Sequence, residues 1–109
     1  MVFRLAFRNE QFGGAKQLFV LRVEGDSMEP TLQESDTVLI NKNADTIGAG
    51  GGIFTINWNS MVLVKRLQMN PQTNEIIIKS DNPNYDSMVV KPNEIEIEGK
   101  VIWYGRELR

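Results

Sequence analysis

The sequence contains no cysteine and no histidine, and these two absences narrow the chemistry that the chain can perform. Without cysteine there is no disulfide, no thiolate metal site and no cysteine nucleophile. Without histidine there is neither a Ser-His-Asp triad nor a His-ligated metal centre. A general base that works near neutral pH must therefore be a Lys, Glu, Asp or Tyr with a displaced pKa, unless an oxygen-ligated metal replaces it.

Long hydrophobic runs and an excess of positive charge are missing as well. The longest apolar runs, such as 18–21 and 61–64, have four residues, whereas a membrane-spanning helix needs ~20. The first residues lack the apolar core of a signal peptide, so we expect a cytoplasmic protein with no membrane partner. The net charge of −2 offers no general attraction to nucleic acid.

What the sequence does contain is a series of short alternating segments rich in Val, Ile and Phe, separated by turn residues. A length of 109 residues suits one domain. We therefore predict a mostly-β fold: a single compact domain of bent, largely antiparallel strands. The predicted strands are 19–24, 37–41, 52–56, 61–69, 75–79 and 95–103.

Three details of this pattern are specific enough to be tested. The segment 57–60 reads as a hairpin turn, and a short helical turn is expected to begin at Ser27. In the last strand, Ile95, Ile97, Val101 and Trp103 share one parity, which predicts a single half-buried face bent at Gly99.

Residues 1–16 differ in composition from residues 17–109, which form the predicted domain. They carry Arg4, Arg8 and Lys16 against a single Glu10, and two adjacent glycines interrupt them. Two interpretations remain open: a linker remnant from a longer parent chain, or an N-terminal arm that packs on the domain.

Ser27 is the first candidate for chemistry. It follows the end of a predicted strand and Gly25, which permits an unusual backbone turn. Backbone N–H groups around such a turn can converge on a developing oxyanion. The alternative is that Ser27 only caps a short helical turn that Pro30 rigidifies, and the segment alone favours that alternative.

Lys65 is the second candidate. At a period of two it shares a face with Met61, Leu63, Leu67 and Met69. If that face is buried, desolvation lowers the lysine pKa; a base that is neutral near pH 7–8 needs a pKa ~2–3 below 10.4, worth about 3–4 kcal/mol. If the opposite face is buried, the amine reaches water instead. Without histidine, a neutral lysine is the base that suits a serine hydroxyl.

Several motifs together resemble the serine–lysine self-cleaving domain of LexA-type and phage repressors, a superfamily that also includes UmuD and, more distantly, type I signal peptidases. The resemblance covers roughly residues 18–109, and its two most specific motifs are Ser-Met-x-Pro-Thr and Val-Lys-Arg. The segments that carry it are 25–31, 36–40, 64–67, 80–85 and 99–106.

The resemblance implies that Ser27 is the nucleophile and Lys65 the general base, with backbone N–H groups of Asp26 and Ser27 as the oxyanion hole. By analogy, Met28 lines a pocket for a small residue. No cofactor and no metal are implied. Implied partners are a second copy in a homodimer, the chain's own upstream linker as substrate, and a RecA filament that promotes the cut. DNA would be bound only through an N-terminal helix-turn-helix domain.

Two features depart from the family pattern: no helix-turn-helix precedes the strands, and no Ala-Gly or Cys-Gly pair precedes Ser27. We therefore expect the C-terminal part of a repressor that dimerises and carries a Ser–Lys dyad. The alternative function is an oligomerisation module that keeps the fold without hydrolysis.

Two other groups of residues could in principle bind a metal ion or nucleic acid. Five acidic residues between positions 24 and 36 suit a solvated loop better than a Mg²⁺ site. Trp58, Tyr85, Trp103 and Tyr104 are expected in the core or at a dimer interface, rather than as stacking platforms for nucleic acid.

Overall fold

The computed structural model describes residues 2–5 and 17–108. In it, eight antiparallel strands form one sheet whose strand order differs from the chain order. The mostly-β prediction is confirmed. The order across the sheet is β1-β2-β3-β8-β4-β5-β6-β7. The strands are β1 (Val2–Leu5), β2 (Leu18–Arg22), β3 (Thr37–Asn41), β4 (Gly52–Trp58), β5 (Met61–Asn70), β6 (Glu75–Lys79), β7 (Met88–Val90) and β8 (Glu96–Gly105), with a 3₁₀ turn at Pro92–Glu94.

At the N-terminus, β1 pairs antiparallel with β2, so that Val2 lies opposite Leu21. Residues 6–16 lie outside the described part of the chain. The division into residues 1–16 and 17–109 therefore stays a prediction.

Alternation along the strands builds two larger cores, beside a small cluster of Leu18 and Leu39 against which Val20 packs. The first core packs β2 and β3 against the turn that follows β2, and the second lies under β4, β5 and β6. The first contains Phe19, Leu21, Val23, Met28, Leu32, Val38 and Ile40; the second contains Phe54, Ile56, Leu67, Ile76, Ile78 and Val90.

Both faces of β5 are covered, each by a different core. Leu67 is fully buried in the second core, and Leu63 packs against the same core. Val64, on the opposite face, packs against the first core. The predicted apolar face of β5 is thus covered from Leu63 onward, whereas Met61 is exposed. The two alternatives for Lys65 assumed that only one face of β5 is buried, and neither therefore describes the whole strand.

The β4–β5 hairpin turns at Asn59 and Ser60, both with positive φ (52° and 65°). This is the geometry of a tight type I′ connection, whose twist matches that of the flanking strands. The observed turn is shorter than the predicted segment 57–60, because Trp58 still pairs with Met61 and only Asn59 and Ser60 remain in the turn.

The single parity predicted for the last strand is wrong. Register shifts occur where β8 passes Leu39/Ile40 of β3 and Thr55/Ile56 of β4, and each inserts a residue that exchanges the two faces of the strand. As a result Trp103 is 51% exposed. Gly99 is required by close packing: a Cβ there would lie 2.6 Å from the Asn41 carbonyl oxygen.

Candidate functional site

The turn that follows β2 positions Ser27. Gly25 adopts a φ of +78°, which glycine tolerates far better than other residues. Glu29 N–H then donates to the Asp26 carbonyl at 3.1 Å, and Leu32 N–H donates to Met28 at 2.9 Å. The second of these bonds joins residues four positions apart and closes a single turn of helical type. The short helical turn expected in this segment is therefore one turn long and does not continue into a helix.

The same contacts argue against a capping role for Ser27. A capping serine accepts a hydrogen bond from the N–H two or three residues later. Here the Glu29 N–H is taken by Asp26, and Pro30 has no N–H. The Ser27 side chain is therefore not engaged as a cap, and it lies half-buried at the surface of the turn.

Met28 anchors the turn to the protein. Its side chain is 2% exposed and belongs to the first core. Its sulfur also accepts a long hydrogen bond, 3.5 Å, from the Asp81 N–H. Because neighbouring side chains of a turn point in different directions, burial of Met28 leaves Ser27 facing the adjacent cavity.

That cavity brings together the two residues singled out from the sequence. It has a volume of about 320 Å³ and lies between the end of β2 and the start of β5. Its walls are residues 21–24, Ser27, Met28 and residues 62–65. Two whole strands, β3 and β4, lie between Ser27 and Lys65 in the sequence, yet both residues line the same cavity.

Lys65 is half-buried, and its amine has a defined partner. Lys65 Nζ donates to Ser80 Oγ at 2.8 Å, and it lies 5.7 Å from the centre of the Tyr85 ring. Burial lowers the pKa of Lys65 below its usual 10.5. The aromatic face favours the ammonium form and acts in the opposite direction, but burial determines the sign.

The direct hydrogen bond between Lys65 and Ser27 that a resting dyad would show is absent from the described part of the chain. The amine is held by Ser80 instead. The position of Ser80 follows from strand register: Arg66 lies opposite Lys79 in the β5–β6 pair, so Lys65 lies opposite the next residue.

The segment 80–85 ties Lys65 to the turn that carries Ser27. The Asp81 carboxylate receives two hydrogen bonds from Arg66, at 2.7 and 2.9 Å, and one from Thr31 Oγ1 at 2.6 Å. The Arg66 hydrogen bond, followed by that of Thr31, holds the pKa of Asp81 below its usual 3.8 despite partial burial. One carboxylate therefore links β5 to the end of the turn.

Two further residues of this segment contact the turn directly. Asn82 donates from its backbone N–H to the Ser27 carbonyl and from Nδ2 to the Asp26 carbonyl, both at 3.0 Å. The Tyr85 hydroxyl donates to the Asp26 carboxylate. In the sequence, residues 80–85 contribute to the family resemblance, but nothing there indicates their role. No local pattern pairs them with positions more than 50 residues away.

The five acidic residues between positions 24 and 36 do not form a common site. Asp36 is fully buried and receives two hydrogen bonds from Arg106, at 2.7 and 2.8 Å, which hold its pKa below 3.8. Glu34 accepts from the Gly25 N–H. In the described ranges, no group of three or more acidic residues is placed to hold a metal ion.

The aromatic residues separate into two environments. Trp58 packs against the second core, whereas Tyr85, Trp103 and Tyr104 are about half exposed, at 46%, 51% and 50%. With Ile102, the last two form an exposed apolar patch on β8.

The described residues contain no helix that is long and apolar enough to cross a membrane.

Comparison with known proteins identifies related chains. A family described as "Peptidase S24-like" matches residues 3–102. The LexA repressor of Pelagibacter ubique (strain HTCC1062) is 31% identical over 87 residues, which are 79% of this chain and 37% of that protein.

Two phage proteins are similar as well. The repressor protein CI of Enterobacteria phage phi80 is 32% identical over 81 residues, 74% of this chain and 34% of that protein. The 26 kDa repressor protein of Escherichia phage HK022 is 36% identical over 77 residues, 71% of this chain and 32% of that protein. The chain thus matches only about a third of the length of these curated relatives.

Proposed function

The chain belongs to the Peptidase S24-like family, and from this membership we propose that it is the self-cleaving peptidase domain of a LexA-type or phage-type repressor. Ser27 is the nucleophile and Lys65 the general base. The observation that carries the proposal is the shared cavity: a half-buried lysine amine with a lowered pKa and a serine hydroxyl face one space in a chain without histidine.

The chemistry follows from the state of the amine. Neutral Lys65 has two N–H bonds and one lone pair. It can keep one N–H on Ser80 Oγ while the lone pair accepts the Ser27 proton. Ser27 Oγ then forms a bond to the peptide carbonyl carbon, and the developing oxyanion is stabilised by the backbone N–H groups of Asp26 and Ser27.

The remaining steps regenerate the amine. The C–N bond of the peptide breaks, and the Lys65 ammonium returns the proton to the leaving nitrogen. Water then hydrolyses the ester on Ser27, with Lys65 again taking the proton. Because only the neutral amine acts as base, the rate rises as the pH passes through the pKa of Lys65, which burial holds below its usual 10.5.

The substrate segment is best accommodated as an added strand. In β5, pairing with β6 begins only at Arg66, so the edge of residues 61–65 on that side has no strand partner among the described residues. Free backbone groups on a sheet edge accept an extended peptide. Such a peptide would lie in the cavity between β5 and residues 21–24, with Met28 lining the pocket for a small side chain.

The test uses a fluorophosphonate probe, which requires no knowledge of the cleavage site. Ser27 Oγ displaces fluoride from phosphorus, and the adduct is measured by intact mass and peptide mapping. We expect labelling at Ser27, at a rate that increases from neutral to alkaline pH. Lys65→Ala should lower the rate by roughly 10²–10⁴-fold, and Ser27→Ala should abolish labelling.

The matched control is Lys79→Ala, which removes an exposed lysine from the adjacent strand and should leave the rate unchanged. The Ser80 hydroxyl is the one that contacts the Lys65 amine. Labelling at Ser80 instead of Ser27 would show that our proposal names the wrong serine as the nucleophile. A wild-type rate in Lys65→Ala would remove the base.

The exposed patch of Ile102, Trp103 and Tyr104 favours a second function alongside the first: association with another copy of the chain. Beyond Lys100, β8 pairs only with β3 among the described strands, so these side chains lie next to an open edge. Exposed aromatic residues at a sheet edge suit a symmetric contact between copies. If the Ser27 test fails and association persists, the chain is an oligomerisation module without hydrolytic activity.

A further inference from the structure

Asn82 holds both carbonyl groups that flank the Ser27 backbone. Its Nδ2 donates to the Asp26 carbonyl and its N–H to the Ser27 carbonyl. Its Oδ1 accepts from the Asn84 N–H at 2.9 Å, which orients the side-chain amide so that the NH₂ group faces Asp26. Every polar atom of the Asn82 side chain is thereby used.

A peptide unit is planar, so fixing one of its groups fixes the other. The Asp26 carbonyl and the Ser27 N–H belong to the same trans unit and point in opposite directions. The Asp26 carbonyl accepts two hydrogen bonds, from Asn82 Nδ2 at 3.0 Å and from the Glu29 N–H at 3.1 Å. Together they set the direction of the Ser27 N–H, which points away from the segment 80–85. In the part of the chain that the structure describes, this N–H donates to no acceptor.

We infer that Asn82 is a positioning residue for the oxyanion donor: it orients the Ser27 N–H toward the site where negative charge develops. The inference rests on the proposed function for its catalytic consequence, but the orientation itself is a property of the free protein. Asn82 touches neither the substrate nor the reacting atoms; it acts through a rigid peptide plane.

Loss of the Ser27 N–H orientation should lower the rate of the reaction. Removing one oxyanion donor from a hydrolase lowers the rate by ~10²–10³-fold. In Asn82 variants only the Glu29 hydrogen bond still holds the Asp26 carbonyl, so the donor is less firmly oriented but retains part of its effect, and we expect a loss of roughly 10–100-fold. The pH midpoint of the reaction should stay the same, because the contacts of Lys65 with Ser80 and Tyr85 do not involve Asn82.

The first arm of the test measures orientation directly. Residual dipolar couplings report the direction of the Ser27 N–H bond in wild type, Asn82→Ala and Asn82→Asp. The aspartate variant keeps the size of the side chain but offers an acceptor to a carbonyl, so it cannot replace the lost donor. We expect the Ser27 coupling to change in both variants and to stay constant in Asn84→Ala, an exposed neighbour whose backbone contact is preserved.

The second arm measures the consequence. Fluorophosphonate labelling of the same proteins should give a lower plateau rate in both Asn82 variants, an unchanged pH midpoint in Asn82→Ala, and wild-type behaviour in Asn84→Ala. A urea titration of each variant separates this loss from unfolding, and if Asn82→Ala does not fold, the aspartate variant carries both arms.

The outcomes distinguish the two ideas. An unchanged Ser27 coupling, or plateau rates within twofold of wild type, overturns the role of Asn82 and leaves Ser27 and Lys65 intact. A wild-type protein that never labels at Ser27 overturns the proposed function, whereas a changed coupling would still establish that Asn82 orients the N–H.

Discussion

The Asp81 carboxylate joins the segment 80–85 to both β5 and the turn of Ser27 through three hydrogen bonds, and its removal is the sharpest test of how the site is held. Asp81→Asn keeps the shape and removes the charge. The amide oxygen can still accept from Thr31 or from Arg66, but its NH₂ group cannot accept the second Arg66 hydrogen bond. We expect the variant to fold and to be less stable.

The magnitude follows from exposure. An exposed ion pair contributes ~0.2–1 kcal/mol, and breaking a buried one costs ~3–5 kcal/mol. Here the Arg66 side chain is 38% exposed and that of Asp81 is 12% exposed, so solvent screens the pair in part. With about 1 kcal/mol for a lost hydrogen bond, Asp81→Asn should lower the free energy of unfolding by about 2 kcal/mol at neutral pH.

The loss should also depend on pH. The folded pKa of Asp81 lies below 3.8 because of the Arg66 and Thr31 hydrogen bonds. The carboxylate therefore contributes its full stabilisation above its unfolded pKa and loses it as pH falls through the folded pKa. The difference between wild type and Asp81→Asn should shrink toward zero in strong acid. Asp36, which also titrates there, is common to both proteins and cancels.

Urea unfolding followed by tryptophan fluorescence gives these free energies at each pH. Asp86→Asn, an exposed neighbour in the same loop, is the control and should change stability by less than about 0.5 kcal/mol. A destabilisation by Asp81→Asn that is equally large at neutral and strongly acidic pH would refute the electrostatic reasoning. So would an effect no larger than that of the control.

Three further results are expected. Gly99→Ala should destabilise the fold by roughly 1–3 kcal/mol in urea unfolding, because its Cβ would meet the rigid Asn41 backbone; a neutral change would contradict this. Trp103→Ser should weaken self-association in sedimentation equilibrium, whereas Val89→Ser, 57% exposed on β7, should not. Tyr85→Leu should lower the pH midpoint of labelling, since the ring favours the ammonium; Tyr85→Phe keeps the ring, and an equal shift in both would exclude the ring as cause.

Strand positions could be predicted from local pattern where the pattern is strong. The bounds of β3 and β6 coincide with the predicted segments 37–41 and 75–79 because each segment is a short continuous run rich in β-branched residues. The edge strand β7 was not predicted, since three residues are too few to show a period. The exposure of Trp103 was missed because bulges depend on the partner strands, which a local pattern does not contain.

The candidate site shows the same division. Residue types and motifs singled out Ser27 and Lys65, and both line one cavity. The partner of the lysine amine was missed: Ser80 reaches it through the β5–β6 register, which pairing across a turn determines. Asn82 was likewise unassigned, because its contacts with residues 26 and 27 span more than 50 positions.

The sequence by itself determined which chemistry is available and which fold class accommodates it. The absence of histidine restricts the base, and alternation with a period of two requires a sheet, since both are properties of residue type and local order. Only the tertiary structure decided how buried Lys65 is and which segment contacts the turn that carries Ser27. Burial and long-range hydrogen bonds arise from the packing of distant strands, and no short stretch of sequence encodes the distance between two such strands.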